Sequence, residues 1–439
     1  MNLKIIIGLV LFFFLFLGEI AMTFSFKQES NRNIPTSEVT PLSFKLTNEL
    51  SSSEVAIPID SIFNDFLSRM QIKGASVAIA KNGRLIFAKG FGFADEEDSI
   101  KAEPKNLFRI ASVSKLITAI TVMKLNEEGR IDLDDKVFGP NGILNDSIFL
   151  HYTDSHVEDI TIRDLLVHTG GWNGKKSDPI FNSLYIARKM KIDRPARLDD
   201  IIRYQLGEKL HYNPGTKYSY SNFGYTLLGK IIEVTTGMSY EDYVQFAILH
   251  PLGIYDMHIG RSFFDERFPN EVKYYELGKP DKCYAYDGSG KLVPIAYGGN
   301  NIELLGAAGG WVASASELLK LIISIDGFES KADILSEESI EMMTPSKKNK
   351  GNTIGWRGTD GYGTWWRTGT LAGASALIMR HQNEIDWVVL LNTSTKNRSR
   401  IHNEISRTMF KALRSVKEWP DFDLFNYAAL SSENHPDKQ

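Results

Sequence analysis

The chain has 439 residues, of which 43% are hydrophobic and 24% charged, and it carries a formal net charge of −4 at pH 7. That length holds one large domain or about two to three ordinary ones. The composition is that of a globular protein, and the slight acidity argues against a nucleic-acid binder, which gathers basic residues into a patch. Cys283 is the single cysteine, so no intrachain disulfide can form. A core of this size needs no covalent staple, and export stays open.

At the N-terminus Lys4 precedes the apolar run Ile5–Leu17, which Glu19 interrupts ahead of Ala21 and Ser25. The run falls short of the roughly 20 apolar residues of a comfortable membrane span. It reads as a signal peptide over residues 1–25, with an exported product, periplasmic or secreted, and no stable membrane insertion after its removal. An uncleaved N-terminal anchor is the alternative. Residues 26–54, rich in Ser, Asn, Thr, Glu and Pro, read as a linker.

Apolar residues at Ile62, Phe63, Phe66, Leu67 and Met70 then follow helical spacing. Ala75–Ala80 and Leu85–Gly90 flank Lys81-Asn82-Gly83-Arg84, and Asn-Gly is the preferred pair for a tight primed turn, so a hairpin is predicted. Residues 112–128 form a helical pattern that ends at Gly129. Further helices are predicted at Ile162–Val167, Phe223–Val234 and Tyr240–Ile248, and Leu304–Ile325 holds a glycine-rich turn and another helix. Strand patterns return at Thr364–Gly369, Ala374–Met379 and Ile385–Asn392, and Ile401–Val416 closes as an amphipathic helix. Strands at both ends with helices between them predict an α/β (α+β) domain over residues 55–415. Its sheet is assembled from 55–105 and 300–415 and flanked by helices, a mainly helical lobe (106–299) is inserted, and 416–439 form a polar tail.

The chemistry concentrates in three places. Ser112 and Lys115 form Ser-x-x-Lys at the mouth of the 112–128 helix. Residues three apart share a helix face, so the Lys115 amine can take the Ser112 proton and make a nucleophile without histidine. Alone the pair is weak, because an exposed helix serine beside a solvated lysine is commonplace. Tyr220-Ser221-Asn222 precedes the helix at Phe223. A phenol whose pKa nearby cations lower can relay a proton, and an Asn amide can orient a lysine and a substrate carbonyl. The ordinary reading is a capping turn in which Ser221 or Asn222 satisfies the helix N-terminus. Arg367-Thr368-Gly369-Thr370 ends a Trp-rich strand. A basic residue there can bind a substrate carboxylate, and a glycine lets backbone approach a ligand closely; the ordinary reading is a strand end with a turn glycine.

The three segments in this order resemble the penicillin-recognising serine hydrolases, whose signature is Ser-x-x-Lys, Ser/Tyr-x-Asn and Lys-Thr-Gly. Tyr220 points to the class C β-lactamase branch, which also holds D-alanyl-D-alanine carboxypeptidases, D-aminopeptidases and esterases. Phe108–Ser112, Ile160–Gly171 and Ala307–Trp311 look like further family segments. The resemblance covers about residues 55–415. It implies a β-lactamase/transpeptidase-like fold with an antiparallel sheet, Ser112 as nucleophile, Lys115 as base, Tyr220 sharing the proton work, and Asn222 orienting Lys115 and substrate. It further implies the Ser112 and Thr370 amides as an oxyanion hole, with Thr368 and Gly369 beside it. The family usually has Lys or His where this chain has Arg367. Arginine cannot shuttle a proton, so Arg367 is expected to lower the Tyr220 pKa by its charge and to clasp a substrate carboxylate.

Other features carry less. His168 reads as structural, and His151 and His156 lack a third metal ligand at useful spacing. No Gly-x-Ser-x-Gly elbow exists, and Gly174-Lys175-Lys176 lacks the rest of a phosphate loop. Trp365, Trp366 and Tyr362 fit a strand packed in the core better than a pocket lining. The sequence thus predicts an exported serine hydrolase acting through an acyl-enzyme on amides, peptides or esters, with no metal or organic cofactor and a small-molecule or peptide substrate. An esterase with little peptidase activity, or a penicillin-binding-type sensor with little turnover, is the alternative. The sequence does not specify the oligomeric state.

Overall fold

The structure is a computed structural model that describes residues 40–52, 56–174, 178–278, 281–345, 351–394 and 398–426. The signal-peptide reading and most of the polar tail lie outside these residues. No helix among the described residues is long and apolar enough to cross a membrane.

Helix α1 (Ala56–Met70) leads into strands β1 (Gly74–Lys81), β2 (Arg84–Asp95) and β3 (Ile100–Lys101). Four further strands come from the far end of the chain: β4 (Gly358–Thr359), β5 (Trp365–Leu371), β6 (Ala374–His381) and β7 (Ile385–Leu391). Together they form a seven-stranded sheet of order β4-β5-β6-β7-β1-β2-β3, antiparallel at every pairing. The two ends of the chain meet where β1 pairs β7, with Val77 opposite Val389. The predicted hairpin forms: Asn82 (φ 49°) and Gly83 (φ 69°) both adopt left-handed backbone, the conformation a primed turn requires and these residues tolerate.

Period-two alternation divides the sheet between two apolar layers. Val77, Ile79, Met379, Trp387 and Val389 face α1 and the last helix, α6 (Arg398–Ser415), whose Ile401, Ile405, Met409 and Ala412 make one stripe. Ala78, Ala80, Ala376, Ile378, Val388 and Leu390 face the helical lobe. The small side chains on that face let α5 (Ala315–Ile323) pack against β1 and β7.

The lobe centres on α2 (Ser114–Glu127), in which every residue from Ser114 to Met123 is buried. A helix buried all round has no solvent face, so its polar groups find partners inside: Thr118 Oγ1 donates to the Ala307 carbonyl at 2.6 Å, and Thr121 Oγ1 to that of Ile117 at 2.9 Å. Helices α3 (Asn222–Thr236) and α4 (Ile302–Gly309) pack on α2. Helix α4, expected within the sheet part, packs on α2 and α3, and Gly306 interrupts it with non-helical backbone.

The described part of the supposed linker is also different. Residues Leu42–Lys45 and Asn48–Ser51 form short helical turns, with Leu42 and Leu46 in the core. Ser51 Oγ donates to the Ala88 carbonyl at 3.0 Å and accepts from the Ala88 amide at 2.9 Å. Two leucines four apart are too sparse to register as a periodic pattern amid polar residues. Ile405→Ala is expected to lower stability by about 2–5 kcal/mol, measured by urea denaturation, since it empties a fully buried site in the outer layer.

Candidate active site

A three-stranded sheet of very short strands anchors the Ser112 segment. Phe108–Arg109 pairs with Trp311–Ala313, which also pairs with His258–Ile259. Arg109 is buried: its guanidinium donates to the carbonyls of Ala296 (2.6 Å) and Arg261 (2.8 Å) and lies over the Tyr274 ring at 4.5 Å. The Ile110 amide donates to the Trp311 carbonyl at 3.0 Å. Ala111 then takes left-handed backbone (φ 50°), a strained state for a residue with a Cβ, held here by the packing around it. Ala111–Val113 make a single 3-10 turn that runs into α2 and leaves Ser112 half-buried.

Lys115 lies one turn on and is fully buried. Its ammonium has three protons to place and three acceptors: Asn222 Oδ1 at 2.7 Å, the Ala308 carbonyl, and Ser112 Oγ at 3.5 Å. Tyr220 OH donates to Ser112 Oγ at 2.9 Å. Ser221, not Asn222, caps α3, accepting from the Gly224 amide at 3.0 Å. The capping reading and the functional reading of this motif therefore apply to neighbouring residues, and the Asn222 side chain is left for Lys115. Asp178, which the sequence reading did not single out, accepts from the Asn222 amide at 2.8 Å and from that of Ile180 at 3.2 Å. An Asp before a Pro that opens a helical turn was the available signal.

Arg367 differs from expectation. It is 1% exposed, and all three guanidinium nitrogens are engaged: Nε donates to the Ser112 carbonyl (2.8 Å), Nη2 to Tyr220 OH (3.3 Å) and Nη1 to the Trp356 carbonyl (3.4 Å). The expected clasp on a substrate carboxylate is not what this buried side chain makes here: Nε, Nη1 and Nη2 each donate to a protein oxygen. Its charge acts on the site instead. Burial holds Lys115 below the usual lysine range, and the Arg367 charge lowers it further. Burial pushes the Tyr220 phenol up, but the Lys115 and Arg367 charges outweigh it and bring Tyr220 down to about 8. The permanent Arg367 cation lowers both Lys115 and Tyr220.

Gly369 also differs. It does not line the cleft. A Cβ there would lie 2.1 Å from the Ile110 carbonyl oxygen, so this glycine admits the strand to the backbone beneath Ser112, not to a ligand. Thr368 and Thr370 do face the cleft. The Trp366 carbonyl accepts from the Arg357 amide on the side of β5 away from β6, and alternation places the Thr370 amide on that same open edge. His402, on α6, reaches Thr370 Oγ1 at 3.3 Å. Trp365, Trp366 and Tyr362 do not line the cleft. Trp365 packs against Trp356, ring centroids 5.8 Å apart.

His168 is buried with φ 62°. Its carbonyl accepts from the Ser219 amide (2.8 Å) and its Nδ1 from the Ser221 amide (3.3 Å), and its ring lies 4.6 Å from that of Tyr220. Burial, with the charges of Arg367, Lys115 and Arg357, drives its pKa far down. It is a neutral bracket for the Tyr220 segment.

Ser112, Tyr220 and Asn222 open onto a cleft of about 510 Å3, whose other walls include Phe181, Ile295, Leu371 and Ala372. A larger cavity of about 920 Å3 around Arg380 and Trp365 holds no nucleophile beside a base.

A family model described as Beta-lactamase matches residues 59–408, and the chain belongs to that family. Among curated proteins it is similar to Protein flp of Staphylococcus aureus (strain MRSA252), 28% identical over 364 residues covering 79% of this chain. The chain spans 64% of that relative's length, a little under two thirds. It is also similar to Esterase EstB of Burkholderia gladioli, 28% identical over 57% of this chain and 62% of that one. Among solved structures, the octameric penicillin-binding protein homologue from Pyrococcus abyssi superposes with a TM-score of 0.58 at 25% identity, covering 86% of this chain and 82% of the other. D-amino acid amidase from Ochrobactrum anthropi SV3 shares the fold, with a TM-score of 0.63 at 21% identity over 83% and 99% of the two chains.

Gly369→Ala is expected to push β5 off the Ile110 backbone and so displace Ser112. Labelling of Ser112 by a serine-reactive phosphonate should slow by about a hundredfold, the order that follows from a displacement near 1 Å.

Proposed function

We propose that the protein is a serine hydrolase that acts through an acyl-enzyme on amide, peptide or ester substrates. The observation that carries this reading is the Tyr220 hydroxyl 2.9 Å from Ser112 Oγ, with the buried Lys115 amine beside both and an open cleft above them. Ser112 Oγ attacks the substrate carbonyl. Its proton passes to whichever member of the Lys115–Tyr220 pair lacks one, and the 3.5 Å Lys115–Ser112 separation shortens when substrate engages, as catalytic hydrogen bonds do. The Thr370 amide, on the open edge of β5, and the Ser112 amide receive the charge that builds on the carbonyl oxygen. Tyr220 returns the proton to the leaving group, and water then releases the acyl group from Ser112 by the same steps. The family membership and the likeness to an esterase support acyl transfer as the chemistry.

Ser112→Ala is expected to abolish both phosphonate labelling and hydrolysis of a chromogenic ester; residual labelling elsewhere at the same rate would falsify the assignment. The acylation rate should rise with pH as the pair loses its proton. Arg367→Gln removes a cation that lowers both members, so that rise should move to higher pH by about one pH unit. A profile that stays in place takes the Arg367 charge out of the mechanism.

A further inference from the structure

We propose that His402 is a positioning residue for the reaction at Ser112: its ring Nε2–H grips the Gly369 carbonyl, and through that one peptide it sets the aim and the donor strength of the Thr370 amide. This rests on the acyl-enzyme reading above, in which the Thr370 amide receives charge from the substrate carbonyl oxygen. A side chain of the outer helix layer thus holds the far end of a peptide whose near end opens on the cleft.

The Gly369 carbonyl and the Thr370 N–H are the two ends of one planar trans unit, so they point in opposite directions. The N–H end lies on the open edge of β5. At the carbonyl end, His402 Nε2 lies 3.2 Å from the Gly369 oxygen and 3.3 Å from Thr370 Oγ1. A carbonyl has no proton to give, so the contact fixes the tautomer, with the proton on Nε2 and the lone pair on Nδ1. Burial holds the His402 imidazole below the usual histidine range, against the pull of the Gly369 carbonyl. The ring is therefore neutral, and its single N–H is the one spent here. Thr370 Oγ1 meets that N–H and not a lone pair, so it accepts from the ring, and its own hydrogen is left for the cleft that Thr370 lines.

The imidazole is held from behind. His402 follows Ile401 and precedes Ile405 by three residues, and both isoleucines are fully buried in the outer layer, where α6 packs on α1 and β6. Beneath the strand, Gly369 presses on the segment that leads to Ser112, so closely that a Cβ would lie 2.1 Å from the Ile110 carbonyl oxygen. The Gly369–Thr370 peptide is thus fixed between the chain that carries the nucleophile and the helix that carries His402. A hydrogen bond accepted at the carbonyl end polarises the unit and strengthens the N–H end as a donor. Such a donor stabilises a developing oxyanion only when it is already aimed at it, and His402 supplies both the aim and the polarisation without touching substrate.

The test uses the full chain and two substrates, 4-nitrophenyl butanoate and its thionoester counterpart, in which sulfur, a weak acceptor of hydrogen bonds, replaces the carbonyl oxygen. Release of 4-nitrophenol gives kcat/KM, which reports the steps up to acylation of Ser112. In His402→Leu the oxygen ester is expected to slow by about five- to tenfold, the order of one neutral hydrogen bond, while the thionoester slows by less than about twofold because its sulfur draws little on the Thr370 amide. His402→Gln, whose amide can donate to the same carbonyl, should restore part of the oxygen-ester rate. Circular dichroism checks folding, and His402→Phe, which keeps a ring on the helix, takes the place of His402→Leu if that variant does not fold. An equal loss on both substrates, the mark of a merely misplaced Ser112, or no loss on either, overturns the proposal while leaving the serine hydrolase standing. Absence of turnover in the wild type, or turnover that persists in Ser112→Ala, overturns the hydrolase reading and this one with it.

Discussion

One buried guanidinium joins the parts of the site. The Arg367 side chain leaves β5 and reaches the Ser112 carbonyl, the Tyr220 hydroxyl and the Trp356 carbonyl. These belong to the turn before α2, the segment before α3, and the approach to β4. Burying a cation is costly unless its donors are satisfied, and here satisfaction requires all three segments to be in place at once. The arrangement that removes the penalty is therefore also the arrangement that aligns Ser112 with Tyr220. Arginine suits this position because its charge cannot be titrated away, so the depression it imposes on its neighbours persists across the working pH range.

Lys115 follows the same logic with the opposite outcome. It is as buried as Arg367, but an ammonium can give up its proton when desolvated. Three acceptors keep the charged form tenable, while burial and the nearby guanidinium favour the neutral one. Asn222 and the Ala308 carbonyl hold the amine beside Tyr220 and Ser112. Asp178 and His168 brace the backbone on either side of Tyr220 and Asn222.

Much of this was legible in the residues. Asn82-Gly83 announced a hairpin because its turn needs left-handed backbone, and the β-rich runs Thr364–Gly369, Ala374–Met379 and Ile385–Asn392 between turn residues announced strands. Ser-x-x-Lys and Tyr-x-Asn were readable because helix geometry and capping chemistry are local. The pairings of Phe108–Arg109, Trp311–Ala313 and His258–Ile259 were not, since strands of two or three residues have no period to detect. Gly369 was read as making room for a ligand because its true neighbour, the Ile110 carbonyl, is far away in sequence. Arg367 was given a substrate carboxylate because no local pattern reports burial; it is 1% exposed and donates to three protein oxygens.

The sheet's closure has a consequence for how the chain comes to life. β1 is made early, yet its partner on one side is β7, with Ala75 opposite Leu391. Contacts so distant along the chain form slowly and late, and β5, which carries Arg367, is synthesised well after α2 and α3. The emerging polypeptide therefore carries Ser112 and Tyr220 before the guanidinium that bonds to both exists. A chain cut short ahead of Arg367 keeps both motifs but lacks the side chain that ties them together.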